Sequence, residues 1–199
     1  VLACALMFAV CLTPSKSVKA FELFRSEVTR IENLLNAKQY ADADSAALLL
    51  LEQALQQQQM PADTFTSLGQ LLQSASRFEV SKAVFNAALE RYTFEGRLDE
   101  MASTLLQLAT SERYLTNYTN ALTYVRRAMS IAQIERNDLL KARLNLELGI
   151  IQQEQDKIET ALEPLKQALR YFRENKMANE MSLSLLRIGE IYSLLNQSS

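Results

Sequence analysis

The sequence contains no histidine and no tryptophan, and only two cysteines, four glycines and three prolines in 199 residues. Without histidine the chain lacks the usual general base near neutral pH and the commonest metal ligand. Cys4 and Cys11 both fall within the first twelve residues, so the rest of the chain has no thiol for nucleophilic, disulfide or metal chemistry. There is no Gly-rich phosphate loop and no strand framework to present a nucleophile. Carboxylate pairs such as Asp99-Glu100 stand at a predicted helix start, where negative charge simply favours the positive end of the helix dipole. The expectation is a non-enzyme that needs no cofactor and no metal. Charge of one sign is also missing as a block. The 21 basic and 23 acidic residues are interspersed and sum to -2, which leaves no footprint for nucleic acid.

What is present is the vocabulary of helices. Hydrophobic residues make up 48% of the chain and charged residues 22%, ample for a packed core, and Leu, Ala, Gln and Glu dominate. An all-α fold follows. Val1 to Leu12 form an apolar run that ends shortly before Val18-Lys19-Ala20. That is the pattern of a secretory signal peptide over residues 1–20, with cleavage expected after Ala20. Export, to a periplasm in particular, is the expected localisation. An uncleaved signal, or an apolar segment beyond Ser199, would be the only routes to a membrane.

A fixed period organises everything after the apolar run. Gly69, Ala109, Gly149 and Gly189 stand 40 residues apart, and so do Ala41, Ser81, Ala121 and Ala161. Leu48, Ala88, Ala128 and Ala168 form a third series with the same spacing. Leu68, Leu108, Leu148 and Ile188 precede the first series, and Phe85, Val125 and Leu165 fall between the second and third. Apolar residues three and four apart mark one face of a helix, so each period holds two amphipathic helices. Small residues at fixed places imply close helix approach. A glycine inside a helix costs about 1 kcal/mol relative to alanine, which packing has to offset.

The breakers obey the same period. Pro61, Gly96, Asn137-Asp138 and Asn175 mark joints between repeats, while Ala37 to Gln39, Ser76-Arg77, Thr116-Asn117 and Gln155 to Lys157 mark turns inside them. Pro164 is expected in the first turn of its helix, where a proline costs least. The layout is four repeats at 22–61, 62–101, 102–141 and 142–181, with a lone first helix from 182. That makes about nine helices as antiparallel pairs. The last helix, with Leu183, Leu185, Leu186, Ile188, Ile191, Tyr192, Leu194 and Leu195, is too apolar for a capping helix. The array is therefore expected to continue beyond Ser199.

These units resemble the tetratricopeptide repeat family, whose 34-residue unit carries Leu-Gly then Tyr on its first helix and Ala, an aromatic and Ala on its second. The match is seen in Ile188-Gly189 with Tyr192, in Leu148-Gly149 with Ala161, Leu165 and Ala168, and in Phe65, Leu68-Gly69, Ser81, Phe85 and Ala88. Thr29 stands at the glycine place of the first repeat. The 40-residue period resembles the variant in the superhelical region of the maltose-regulon activator. The resemblance implies a right-handed superhelix, an α-solenoid, that binds a protein or peptide in its concave groove.

The positions that line that groove in the family map onto Arg30 and Asn33, Gln70 and Gln73, Gln107, Arg113 and Tyr114, Arg143, Glu147 and Ile150, and Arg187 and Glu190. Where one branch of the family clamps a terminal carboxylate with Lys, Asn and Arg, this chain has Ser26, Arg30, Ser67, Ser103 and Gln107, so that clamp is absent. Arg126-Arg127 and Arg170 to Arg173 read as solvated faces, and Tyr114, Tyr118 and Tyr124 as packing. A non-catalytic scaffold or adaptor is the expected function. The alternative is the extracytoplasmic sensory part of a larger membrane signalling protein.

Overall fold

The computed structural model describes residues 16–57 and 61–197. Among them lie nine α-helices and no strand. The expected leader lies mostly outside the described residues, and its last five positions fall within the first helix, α1 (Lys16–Asn36).

Among the described residues, 16–57 belong to one compact unit and 61–197 to a second. In the first, α1 pairs with α2 (Tyr40–Gln57) through Phe24, Ile31 and Leu35 on one helix and Ala43, Ala47, Leu50 and Ala54 on the other. The 40-residue register slips here. The left-handed turn residues Lys38 and Ser76 are 38 apart, whereas Ser76, Thr116 and Asp156 keep the full 40. Ala41 and Leu48, assigned to packing from the period, therefore turn outward, and Ala43 and Leu50, two residues further on, take the inward places.

The second unit holds α3 (Ala62–Ser74), α4 (Phe78–Glu95), α5 (Leu98–Tyr114), α6 (Tyr118–Ile134), α7 (Asp138–Glu154), α8 (Ile158–Glu174) and α9 (Ala178–Gln197). From α4 onward a helix begins every 20 residues, so the excess over a 34-residue unit lies in the helices, 17 or 18 residues long from α4 to α8. Each ends the same way. A residue at positive φ reverses the chain, and the next N–H returns to a carbonyl five residues back, as in Arg77 to Leu72, Asn117 to Glu112 and Lys157 to Gln152. The residue that makes this closure is also the N-cap of the following helix. Turns so short force consecutive helices antiparallel. α3–α4, α5–α6 and α7–α8 pack as hairpins, and the first helices of successive hairpins touch one another, α3 with α5, α5 with α7 and α7 with α9.

The small residues sit where large ones press in. A Cβ on Gly69 would stand 2.6 Å from the Phe85 ring, and one on Gly149 would stand 2.5 Å from Leu165 Cγ and 3.1 Å from the Ala161 carbonyl oxygen. Ala109, Ala121, Ala161, Ala88, Ala128, Ala168 and Ser81 are all fully buried. Gly189 departs from the series: nothing lies within 4 Å of the place of its Cβ, because α9 has no following helix against it among the described residues.

Pro164 also departs from expectation. It is the seventh residue of α8, one turn deeper than the position where its missing N–H would go unnoticed. Thr160 thereby loses its helical donor. Pro164→Ala restores that bond and removes the ring from the helix interior. The expected gain is about 1–3 kcal/mol, read as a higher melting temperature.

Candidate partner-binding face

The face shared by α3, α5, α7 and α9 is where the expected groove residues of the second unit converge. Much of its polarity is committed to holding the array together. Gln73 Nε2 donates to the Gln107 carbonyl at 3.0 Å and to Ser111 Oγ at 2.9 Å. One hairpin further, Arg113 Nε donates to Glu147 Oε1 at 2.8 Å and Arg113 Nη1 to Glu154 Oε1 at 2.9 Å. Arg113 and Glu147 are each only 7% exposed. Burial opposes the charge on Arg113, but Glu147 and Glu154 more than offset it and raise its pKa above the ordinary arginine value. Burial pushes the Glu147 carboxyl up, with Arg113 pulling it back. Beyond them Gln153 Nε2 donates to Glu190 at 2.9 Å, Arg187 to the same carboxylate at 3.2 Å, and Arg143 to Glu180 at 3.1 Å.

A second ladder ties the joint between the second and third repeats. Arg97 reaches Asp63 at 3.1 Å and Glu100 at 2.7 Å, and its guanidinium lies 4.8 Å from the Tyr92 ring centroid. The Arg97 guanidinium, and after it the Tyr92 hydroxyl 2.7 Å away, hold the Asp63 carboxyl below the usual carboxylate range. Burial pushes the Tyr92 phenol up to about 12.

Of the twelve groove positions, Arg113, Glu147 and the buried Ile150 therefore act inside the array. Arg30 and Asn33 belong to the first unit, where Arg30 pairs with Glu27 at 3.2 Å and Asn33 is exposed. Gln70 and Tyr114 remain open, and the structure brings them together. They line a hollow of about 510 Å³ with Gln73, Ser74, Ser76, Phe78 and Thr110, where the last turn of α5 meets the α3–α4 turn. Tyr114 is 55% exposed yet held firmly. Phe78 stacks on it at 4.3 Å, nearly parallel, and the Arg113 guanidinium lies 4.2 Å from its ring centroid. The buried ion pair thus fixes the arginine against which the exposed aromatic rests.

Phe78, Ser74, Ser76 and Thr110 were not legible as site residues. The signal for Phe78 was its place as the first residue after an intra-hairpin turn, shared by Tyr118 one period later. Arg126, Arg127, Arg170 and Arg173 are exposed on second helices, and Phe172 is buried, in keeping with solvated faces. Among the described residues no three or more acidic or thiol side chains gather as a metal site would require, and no helix is long and apolar enough to cross a membrane.

Residues 100–174 match the tetratricopeptide repeat family model. No curated protein matches the sequence. Among solved structures, BtubC (BKLC) from P. vanneervenii is similar over 90% of this chain and 80% of its own, at 18% identity and a TM-score of 0.62. The apo form of RapI is similar over 91% of this chain and 54% of its own, at 15% identity and a TM-score of 0.69. A kinesin light chain of P. anserina with nearly identical TPR-like repeats is similar over 87% of both chains, at 12% identity and a TM-score of 0.61. Arrays of this kind present extended surfaces to other proteins, and the repeats themselves are typically non-catalytic. Residues 100–174 belong to the tetratricopeptide repeat superfamily, and the helices on either side of them share its all-α repeat fold.

Proposed function

We propose that this chain is an exported, non-catalytic adaptor that holds a protein or peptide against the face formed by α3, α5, α7 and α9. The observation that carries the reading is the hollow around Tyr114. A large aromatic side chain is kept more than half exposed, braced by Phe78 and Arg113, beside an exposed glutamine. Exposed aromatics held rigid lose little entropy on binding and are the side chains that most often dominate protein interfaces. The apolar run Val1–Leu12 supports export, to a periplasm in particular.

Tyr114→Ala tests the assignment. It removes the aromatic without touching the Arg113–Glu147 pair, so the fold should persist. Recovery of a co-purifying partner from cell extract should fall at least tenfold, the loss of about 1.4 kcal/mol or more expected for an interface anchor. Undiminished recovery by the folded variant would count against this face.

A second reading, the extracytoplasmic sensory part of a membrane signalling protein, is favoured by one feature. Leu185, Leu186, Tyr192 and Leu194 of α9 are each at least 44% exposed, next to the open side of Gly189. Sequencing the gene past codon 199 tests it. An apolar stretch of about 20 residues supports this reading, and a stop codon removes it.

A further inference from the structure

The Tyr114 hollow has a neighbour on the same edge. Thr116, Asn117, Tyr118, Thr119, Asn120 and Gln155 line a second hollow of about 370 Å³, between the α5–α6 turn and the α7–α8 turn. In a chain that is 22% charged, neither lining contains an Asp, Glu, Lys or Arg. The amides that line them are also oriented. Asn117 Nδ2 donates to Glu112 Oε2 at 2.8 Å, and a carboxylate can only accept, so the Asn117 amide oxygen is the outward end and has no bond among the described residues. That oxygen does not cap its own helix, unlike Asn137, whose side chain accepts from Leu140. Gln73 is set the same way. Its Nε2 is used on the Gln107 carbonyl and Ser111, and its Oε1 has no bond among the described residues. Each hollow thus presents a fixed amide acceptor beside an aromatic ring, Tyr114 in one and Tyr118 in the other.

We infer that this edge binds an extended, uncharged polypeptide segment, whose backbone N–H groups meet the Gln73 and Asn117 amide oxygens while two uncharged side chains about three residues apart enter the two hollows. The spacing follows from packing. Neighbouring helix axes lie about 8–10 Å apart, and an extended chain covers about 3.3–3.6 Å per residue. The inference rests on the partner-binding reading of this face and specifies the chemistry of what is held there.

The test uses the full chain and capped Ser/Gly octapeptides carrying Phe at two positions three apart, with Lys/Lys, Glu/Glu and four-apart analogues, read by fluorescence anisotropy. The Phe peptide with the three-residue spacing should bind best, and its Kd should change less than threefold between about 50 and 500 mM salt, since no charge pair is there to be screened. Ser74→Arg and Thr119→Glu, both at exposed positions, place a charge in one hollow each and should each weaken binding at least tenfold with an unchanged melting temperature; if one fails to fold, the other still decides. Four results would overturn the inference: tenfold weakening with salt, preference for a charged analogue, binding of maltoheptaose in place of the peptide, or no binding of any octapeptide. Should the octapeptides fail while Tyr114→Ala still abolishes partner recovery, the adaptor reading stands and only this chemistry falls.

Discussion

Arg113→Ala should destabilise the array by about 3–5 kcal/mol, because it leaves Glu147 buried with no compensating charge. Glu147 is 7% exposed and its nearest cation is Arg113 Nε at 2.8 Å. Water cannot replace that partner without opening the contact between α5 and α7. At this chain length the loss corresponds to a fall of roughly 10 °C in melting temperature. The double variant Arg113→Met/Glu147→Met removes both charges and keeps the volume, so it should recover most of the stability, as buried pairs exchanged for apolar residues generally do. Glu154 is no obstacle, since its side chain is 28% exposed and can be hydrated. The double variant should still lose partner binding, because Tyr114 would no longer rest against a guanidinium. A single variant that melts like wild type would mean that the pair is hydrated and carries no structural role.

Gly149→Ala and Gly189→Ala, one period apart and the same change in the same helix position, should have opposite signs. At Gly149 the new methyl would meet Leu165 at 2.5 Å and the Ala161 carbonyl oxygen at 3.1 Å, and both neighbours are fully buried with nowhere to shift. Overpacking there should cost about 1–3 kcal/mol after the better helix propensity of alanine is counted. Trimming the opposing side chain, Gly149→Ala/Leu165→Val, should return part of it. At Gly189 nothing stands within 4 Å, so the propensity gain of about 1 kcal/mol should appear undiminished. Thermal melts of the two variants side by side check this, and a loss at Gly189 equal to that at Gly149 would mean that the open side of α9 is covered in solution.

The hairpins of the second unit were legible because glycine, alanine and the residues opposing them recur at a constant spacing, and spacing survives translation into structure. The first hairpin was less so. Its turn comes two residues late relative to the period, and a slip of two along a helix rotates every assigned side chain to another face, which is why Ala41 and Leu48 are exposed. The site was the least legible. Arg113 and Glu147 are 34 residues apart, and each looks like an ordinary surface charge until two helices bring them together. The Tyr114 hollow draws residues from α3, α4 and α5, of which only Gln70, Gln73 and Tyr114 lay on the expected groove positions. Pro164 shows the same limit at short range, since a proline's cost depends on where its helix begins, and the helix start is set by turn closure rather than by the proline.

Site-specific photo-crosslinking tests the central claim most directly. With a photoreactive phenylalanine at Gln70, beside the Tyr114 hollow, and at Arg127, exposed on the second helix of the next hairpin, irradiation in cells expressing the full gene should give a discrete crosslinked polypeptide at Gln70 and none at Arg127. Crosslinks at Arg127 with none at Gln70 would contradict the account and move the partner to the opposite face of the array.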